Sequence, residues 1–325
     1  MSVKDRTKRL RQLNQQSEEM KTRDKEIPWL VPVRNDQFWI AESLTHLYHL
    51  PVYQNFSTAE KLAYNHAFAL MVVEQSVLFE ELICSFIRKI FLKSPAIREK
   101  LESEFNLGLD HFLREESEHT EIFWKLAHVS DPGYGAKRVY RYYKPKLLDF
   151  VSTKVLLSFP GVAALWTWLS LYGEEKFLLN YREIRKSDAN PLTRIDPVHE
   201  AVHYFHMVDE ARHVQMDEFF VEECWDRASP ALRWINRLLL GRIYRSFVVN
   251  TNSGWALWKL LVTKHPGLKG YSREVKKQLK ELGRTRSYQQ IMCDRSSIPR
   301  TSSLFDSRPE FHSFSKVLPG YSPRV

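Results

Sequence analysis

Apolar side chains recur along this chain at steps of three and four residues, the spacing that lines one face of a helix, and the strand signal is weak throughout. The stretch "FSTAEKLAYNHAFALMVVEQSVLFEELICSFIRKIF" opens with Ser57 and, three residues later, Glu60. That capping box predicts a helix to about Phe91, ahead of Ser94-Pro95. "LDHFLREESEHTEIFWKLAHV" predicts a second helix from about Asp110 to Val129, ended by "SDPGYG". A third, unusually apolar segment runs from about Leu147 to Arg185. "SDANPLTRIDP" breaks it, and Asp196-Pro197, an N-cap with a first-turn proline, starts a fourth helix to about Asp226. Ser229-Pro230 starts another, "NTNSG" interrupts, and "HPG" with "SREVKKQLKELG" predicts two shorter ones. No linker divides the chain. The pattern predicts an all-α bundle of long helices with extra C-terminal helices.

The ends read differently. Residues 1–25, with "VKDRTKRLRQL" followed by "SEEMKTRDKE", form a basic, solvated and partly helical arm on this reading. The helical domain then covers 26–290. Residues 291–325, rich in Pro and Ser with scattered aromatics, are expected as a tail laid over the surface and loosely ordered at its end. The uncharged run Val155–Gly173 approaches the about 20 residues of a membrane span. Pro160-Gly161 splits it and Glu174-Glu175 follow directly, so a helix buried on nearly all sides is expected instead.

Composition narrows the classes. The chain has 325 residues, 43% of them hydrophobic, enough for one large core. The net charge of +9 is dispersed rather than gathered on one basic surface with stacking aromatics, which argues against nucleic acid. It suits an anionic substrate or an acidic carrier protein. Cys84, Cys224 and Cys293 form no CxxC, and no signal-peptide pattern precedes them, so a reducing cytoplasm is expected.

One polar stripe does not fit a bland helix. Within "HYFHMVDEARHVQMDE", His203, His206, Glu210, His213 and Asp217 fall at steps of three and four, on one face. A solvated face more often carries Lys, Glu and Gln, and a core face Leu, Ile and Val. Glu210 and His213 form a Glu-x-x-His pair, and "REESEH" holds a second, Glu116 and His119. Two such pairs, each preceded by a helix with a lone Glu, make the inventory of a carboxylate-bridged di-iron bundle. On the first helix, the face around Glu80 holds Val73, Ser76, Val77, Ile83, Cys84 and Ile87, whereas Glu81 shares its side with Glu74 and Arg88. A buried carboxylate needs compensation, so Glu80 is chosen. On the third helix, Lys176 and Glu183 are read as the solvent side. Glu174 lies nearly opposite and is preferred to Glu175. His206, four residues before Glu210, is a seventh candidate, as a ligand or as a core histidine.

These residues resemble the p-aminobenzoate N-oxygenase family, ferritin-like di-iron oxygenases that act on arylamines. "HMVDEARH" matches the family's His-x-x-x-Glu-x-x-His helix, "VEQSVLFEELI" its first ligand helix, and "EESEH" its second. The resemblance covers about residues 45–225 and leaves both tails unmatched. It implies two iron ions held by Glu80, Glu116, His119, Glu174, His206, Glu210 and His213. A longer loop before His206 keeps Glu174 against Glu175 open. Carboxylates are hard anionic donors able to bridge two irons, and neutral imidazoles suit Fe(II). Helix geometry also aims Asp209 and Glu115, each one residue before a pair, at the histidine of the opposite pair, as outer partners of ligating histidines usually are. His203 either lines a substrate pocket or packs.

The expected function is that of an O2-dependent non-heme di-iron oxygenase, oxidising an amine of a small aromatic or related substrate, with an electron donor. A homodimer is compatible with this. The alternatives are a di-iron desaturase or hydroxylase of an acyl chain, delivered by an acidic carrier, and a non-catalytic iron-binding helical protein.

Overall fold

The computed structural model describes residues 3–20, 26–92, 98–134, 138–143, 159–188, 190, 193–248, 251–318 and 320–324. The described residues hold no strand, only an isolated parallel bridge between Phe38 and Ile195. The helices are α1 (Val3–Glu19), α2 (Thr58–Ile87), α3 (Ser103–Ser130), α4 (Ala163–Asp188), α5 (Pro197–Val221), α6 (Pro230–Val248), α7 (Thr251–Lys264), α8 (Ser272–Glu281), α9 (Arg286–Cys293) and α10 (Pro299–Asp306). The long ones build the bundle. α2 lies along α3 and α4 along α5, and the pairs meet through α3 against α5 and α2 against α4.

Local chemistry sets the starts of two of these helices. At α2, Ser57 Oγ accepts from Glu60 N and Glu60 Oε2 accepts from Ser57 N. At α5, Asp196 Oδ1 accepts from the amides of Val198 and His199, and Pro197 needs no partner for its nitrogen. α2 and α5 both end in a π-helical turn, Arg88–Leu92 and Glu222–Asp226.

The apolar core divides in two. One cluster gathers Trp39, Tyr64, Phe68, Phe123 and Trp258, the other Phe112, Trp168, Phe220, Trp225 and Phe305. Along each bundle helix, buried Glu and His residues occupy the stretch between the two clusters. α2 and α4 meet closely at this level. A Cβ on Gly173 would stand 2.1 Å from Cζ of Phe79, so only glycine fits against that ring.

Both chain ends depart from the sequence expectation. Residues 3–19 are a packed helix, not a solvated arm, with Leu10 fully buried. Their charges read as solvation because the partners lie far along the chain: Arg6 pairs with Glu222 and Glu223, and Arg9 with Glu218. The C-terminal segment is not a surface coil. Phe305, Phe311, Phe314 and Tyr321 are buried beside Trp168 and Tyr244 or around Arg295. Its helices are too short to show a helical period in sequence. The reading of α4 is corrected as well, since its supposed solvent side is covered, at Lys176 by this segment and at Glu183 by Ser43. Glu183 is buried, and Lys176 Nζ donates to the carbonyl of Ile291.

Among the described residues no helix is long and apolar enough to cross a membrane. The part of the apolar run within α4 is core, with Leu165, Trp168 and Leu171 fully buried. Residues 144–158, including the start of that run, lie outside the described residues.

Candidate metal centre

Glu80 comes from α2, Glu116 and His119 from α3, Glu174 from α4, and His206, Glu210 and His213 from α5. All are at most 4% exposed. They converge as two groups. In one, Glu80, His119, His206 and Glu210 each offer an atom within 4.8 Å of the others, and in the second Glu116, His119, Glu210 and His213 do the same. His119 and Glu210 belong to both.

The distances are those of converging donors. His206 Nε2 lies 2.5 Å from Glu210 Oε1 and 3.2 Å from Glu80 Oε1. His213 Nδ1 lies 2.8 Å from Glu116 Oε1 and 3.1 Å from Glu210 Oε2. Despite this proximity, His206 Nε2, Glu210 Oε1, Glu80 Oε1, His119 Nδ1 and both Glu116 oxygens have no hydrogen-bond partner. Their lone pairs are therefore not spent on one another. Buried charges left this way cost several kcal/mol each unless paired. Cations at the convergence point would satisfy them, so these donors fit two metal ions.

Glu174 stands outside both groups, yet it is buried and neither of its oxygens has a hydrogen-bond partner. The oxygens of Glu175 are engaged elsewhere, by the amides of Arg300 and Thr301 at the start of α10. The two neighbours are thus separated by what they touch, not by exposure.

Electrostatics agree. Burial raises the Glu80 pKa, and Glu116 and Glu210 raise it further, well above the usual carboxylate range. Burial would depress His213, but Glu210 and contacts with Glu115 and Glu116 hold it well above the ordinary value. The centre carries more negative charge than its own side chains balance. Burial, with the nearby His119, His203 and His213, pushes His206 far down, leaving a neutral imidazole.

The outer partners lie where helix geometry aims them. His119 Nε2 is 3.1 Å from Asp209 Oδ2, and His213 Nε2 is 3.0 Å from Glu115 Oε2. Each carboxylate accepts the histidine's outer N–H and leaves Nδ1 facing the centre. Burial opposes the ionisation of Glu115, but the His213 N–H and Arg212 outweigh it and hold its pKa well down.

Sequence reasoning missed Arg212 and Thr120. Arg212 Nη2 is 2.6 Å from Asp209 Oδ1 and 3.2 Å from Glu115 Oε2, tying both outer carboxylates together. Its signal was its place three residues after Asp209. Thr120 Oγ1 donates to Glu80 Oε2 at 3.2 Å, a contact between helices that no local pattern announces. Of the remaining stripe, His203 packs near Phe123, and burial pushes its pKa down to about 4. It does not line the cavity below. Asp217, one turn beyond His213, is fully buried.

A cavity of about 500 Å³ opens between α3 and α5. Its inner end reaches His119 and His206, beside apolar walls of Ile122, Phe123, Val202 and Phe205. Met20, Arg114, Ser117, Glu118, Glu121 and Asp209 line the rest.

A family model described as P-aminobenzoate N-oxygenase AurF matches residues 3–291. That span is wider than the 45–225 read from motifs and takes in α1. No curated protein matches the chain. A match over most of the length, meeting a buried double cluster suited to two cations, makes the chain a member of the p-aminobenzoate N-oxygenase AurF family, whose members are ferritin-like di-iron oxygenases.

Proposed function

We propose that Glu80, Glu116, His119, Glu174, His206, Glu210 and His213 hold the two irons, and that the reaction oxidises an amine nitrogen on a small aromatic substrate. Dioxygen is the oxidant and a separate donor supplies electrons. The observation that carries this is the pair of ligand-type groups sharing His119 and Glu210. Glu80 and His206 would then hold one ion, and Glu116 and His213 the other. Glu174 is preferred to Glu175 because only its oxygens are unspent. Two irons bound there supply the activation of dioxygen.

The protein's own groups prepare the site. Asp209 and Glu115 fix the ring orientation and tautomer of His119 and His213 by accepting their outer N–H. Against the cost of burial, His119 and then Arg212 favour the ionised form of Asp209, and His213 and then Arg212 that of Glu115. Phe123 and Phe177, whose ring centroids lie 4.7 and 4.5 Å from that of His206, keep water from that side of the centre. The mixed polar and apolar lining of the cavity suits a small amine better than an acyl chain. The three cysteines are unpaired, in keeping with a reducing cytoplasm.

Anaerobic loading with Fe(II) should give two irons per chain. Protein that retains at most one tightly bound iron would sink the assignment. The amine reading is tested separately, by following hydroxylamine or nitro products from arylamines under O2 with a reductant. Turnover of acyl chains and of no amine would replace it.

A further inference from the structure

We propose that the cavity between α3 and α5 selects arylamines whose far end carries a positive charge or hydrogen-bond donor, with Glu118 as the specificity-determining residue. This rests on the amine reading above and goes beyond the family name, which points to an aromatic carboxylate.

The cavity is graded. Near His119 and His206 its walls are Ile122, Phe123, Val202 and Phe205, suited to a flat ring. Its solvent-facing part carries the carboxylates of Glu118 and Glu121, while a third, Asp209, lies deeper beside His119. The cations that neutralise two of them do not line the cavity: Arg138 grips Glu121 through two nitrogens, and Arg212 holds Asp209. Arg114, the one Lys or Arg among the described lining residues, donates through its terminal nitrogens to His111, the carbonyl of Ser17 and Glu115, and its Nε, without a hydrogen-bond partner, faces Glu118 alone.

Glu118 differs from the other two carboxylates. Its side chain is 52% exposed, and its ion pair with Arg114 Nε is long, at 3.8 Å. It is the least compensated charge at the mouth. A ligand's ammonium group gains a partner there, whereas a carboxylate at the same end meets like charge. The amine to be oxidised must stay neutral so that its lone pair is free, which an aniline nitrogen does at neutral pH. An aniline with an aliphatic ammonium at its other end meets both demands.

The test is a calorimetric titration of the iron-loaded protein under argon with 4-(aminomethyl)aniline and with p-aminobenzoate. Attraction for one and repulsion of the other act together, so the diamine should bind about tenfold more tightly. Glu118→Gln should shrink the difference, Glu118→Lys should reverse it, and Ile122→Trp should weaken both ligands by filling the cavity. Equal or tighter binding of p-aminobenzoate to the unaltered protein overturns the inference. So does a preference that survives Glu118→Lys, or binding untouched by Ile122→Trp. If two irons load and neither amine binds, the inference fails and the metal assignment stands. If the irons do not load, the reading beneath it fails.

Discussion

The two halves of the bundle offer nearly the same donors in different settings. α2 and α3 bring Glu80, Glu116 and His119, while α4 and α5 bring Glu174, Glu210, His213 and the additional His206. In the first half, Glu81 beside Glu80 faces solvent, and Glu80 takes a hydrogen bond from Thr120 of the neighbouring helix. In the second half, Glu175 beside Glu174 is itself buried and bound to the start of α10. The first half is supported from within its own helix pair. The second is supported by the C-terminal segment, which belongs to neither pair. A repeated ligand pattern therefore does not imply repeated surroundings.

The sharpest way to break the comparison is to remove one carboxylate from each half. Glu116→Ala with Glu210→Ala should abolish iron binding, because Glu210 belongs to both groups and Glu116 completes the second. Two irons retained in the double variant would remove the shared-centre account. His206→Ala tests the asymmetry itself. The group of Glu116, His119, Glu210 and His213 survives intact, so the iron content should fall from two towards one. Unchanged loading would make His206 a packing residue and the halves equivalent.

Asp209→Asn and Glu115→Gln compare the halves one shell out. Each loosens one histidine, and such losses cost about 10–100-fold in metal affinity or activity. Asp209 acts on His119 of the first half, and Glu115 on His213 of the second. Iron titrations of the two variants should show similar losses. An effect confined to one would mean that a single histidine carries the binding.

How far the sequence could be read follows the same division. The bundle helices were legible because long helices repeat their apolar face many times, and Ser57 and Asp196 mark two starts by local hydrogen bonds. Glu80 stood out because its own helix surrounds it with apolar residues. The carboxylate partners of His119 and His213 were legible too, since an adjacent position fixes direction on a helix. What failed needed information from elsewhere in the chain. Arg6 and Arg9 look solvated until Glu218, Glu222 and Glu223 are placed beside them. Lys176 and Glu183 mark a solvent face only if nothing covers it. Phe305, Phe311 and Phe314 lie among Ser and Pro in turns too short to declare a face.

The adjacent pairs Glu80-Glu81 and Glu174-Glu175 give the finest test. Glu81→Ala, at an exposed position, should change stability by no more than about 0.5 kcal/mol. Glu175→Ala should destabilise by about 2 kcal/mol, because it leaves the amides of Arg300 and Thr301 without their acceptor. Glu175→Gln should cost less than Glu175→Ala. Burial raises the Glu175 pKa against the pull of those amides, so a neutral side chain escapes a desolvation cost while one oxygen still accepts. Calorimetric unfolding measures all three variants. Iron loading then separates the neighbours. Glu175→Ala should keep two irons on a weakened scaffold, whereas Glu174→Ala should lose iron from a scaffold of near-normal stability. The opposite pattern would transfer the ligand role to Glu175 and leave the unspent oxygens of Glu174 without a purpose.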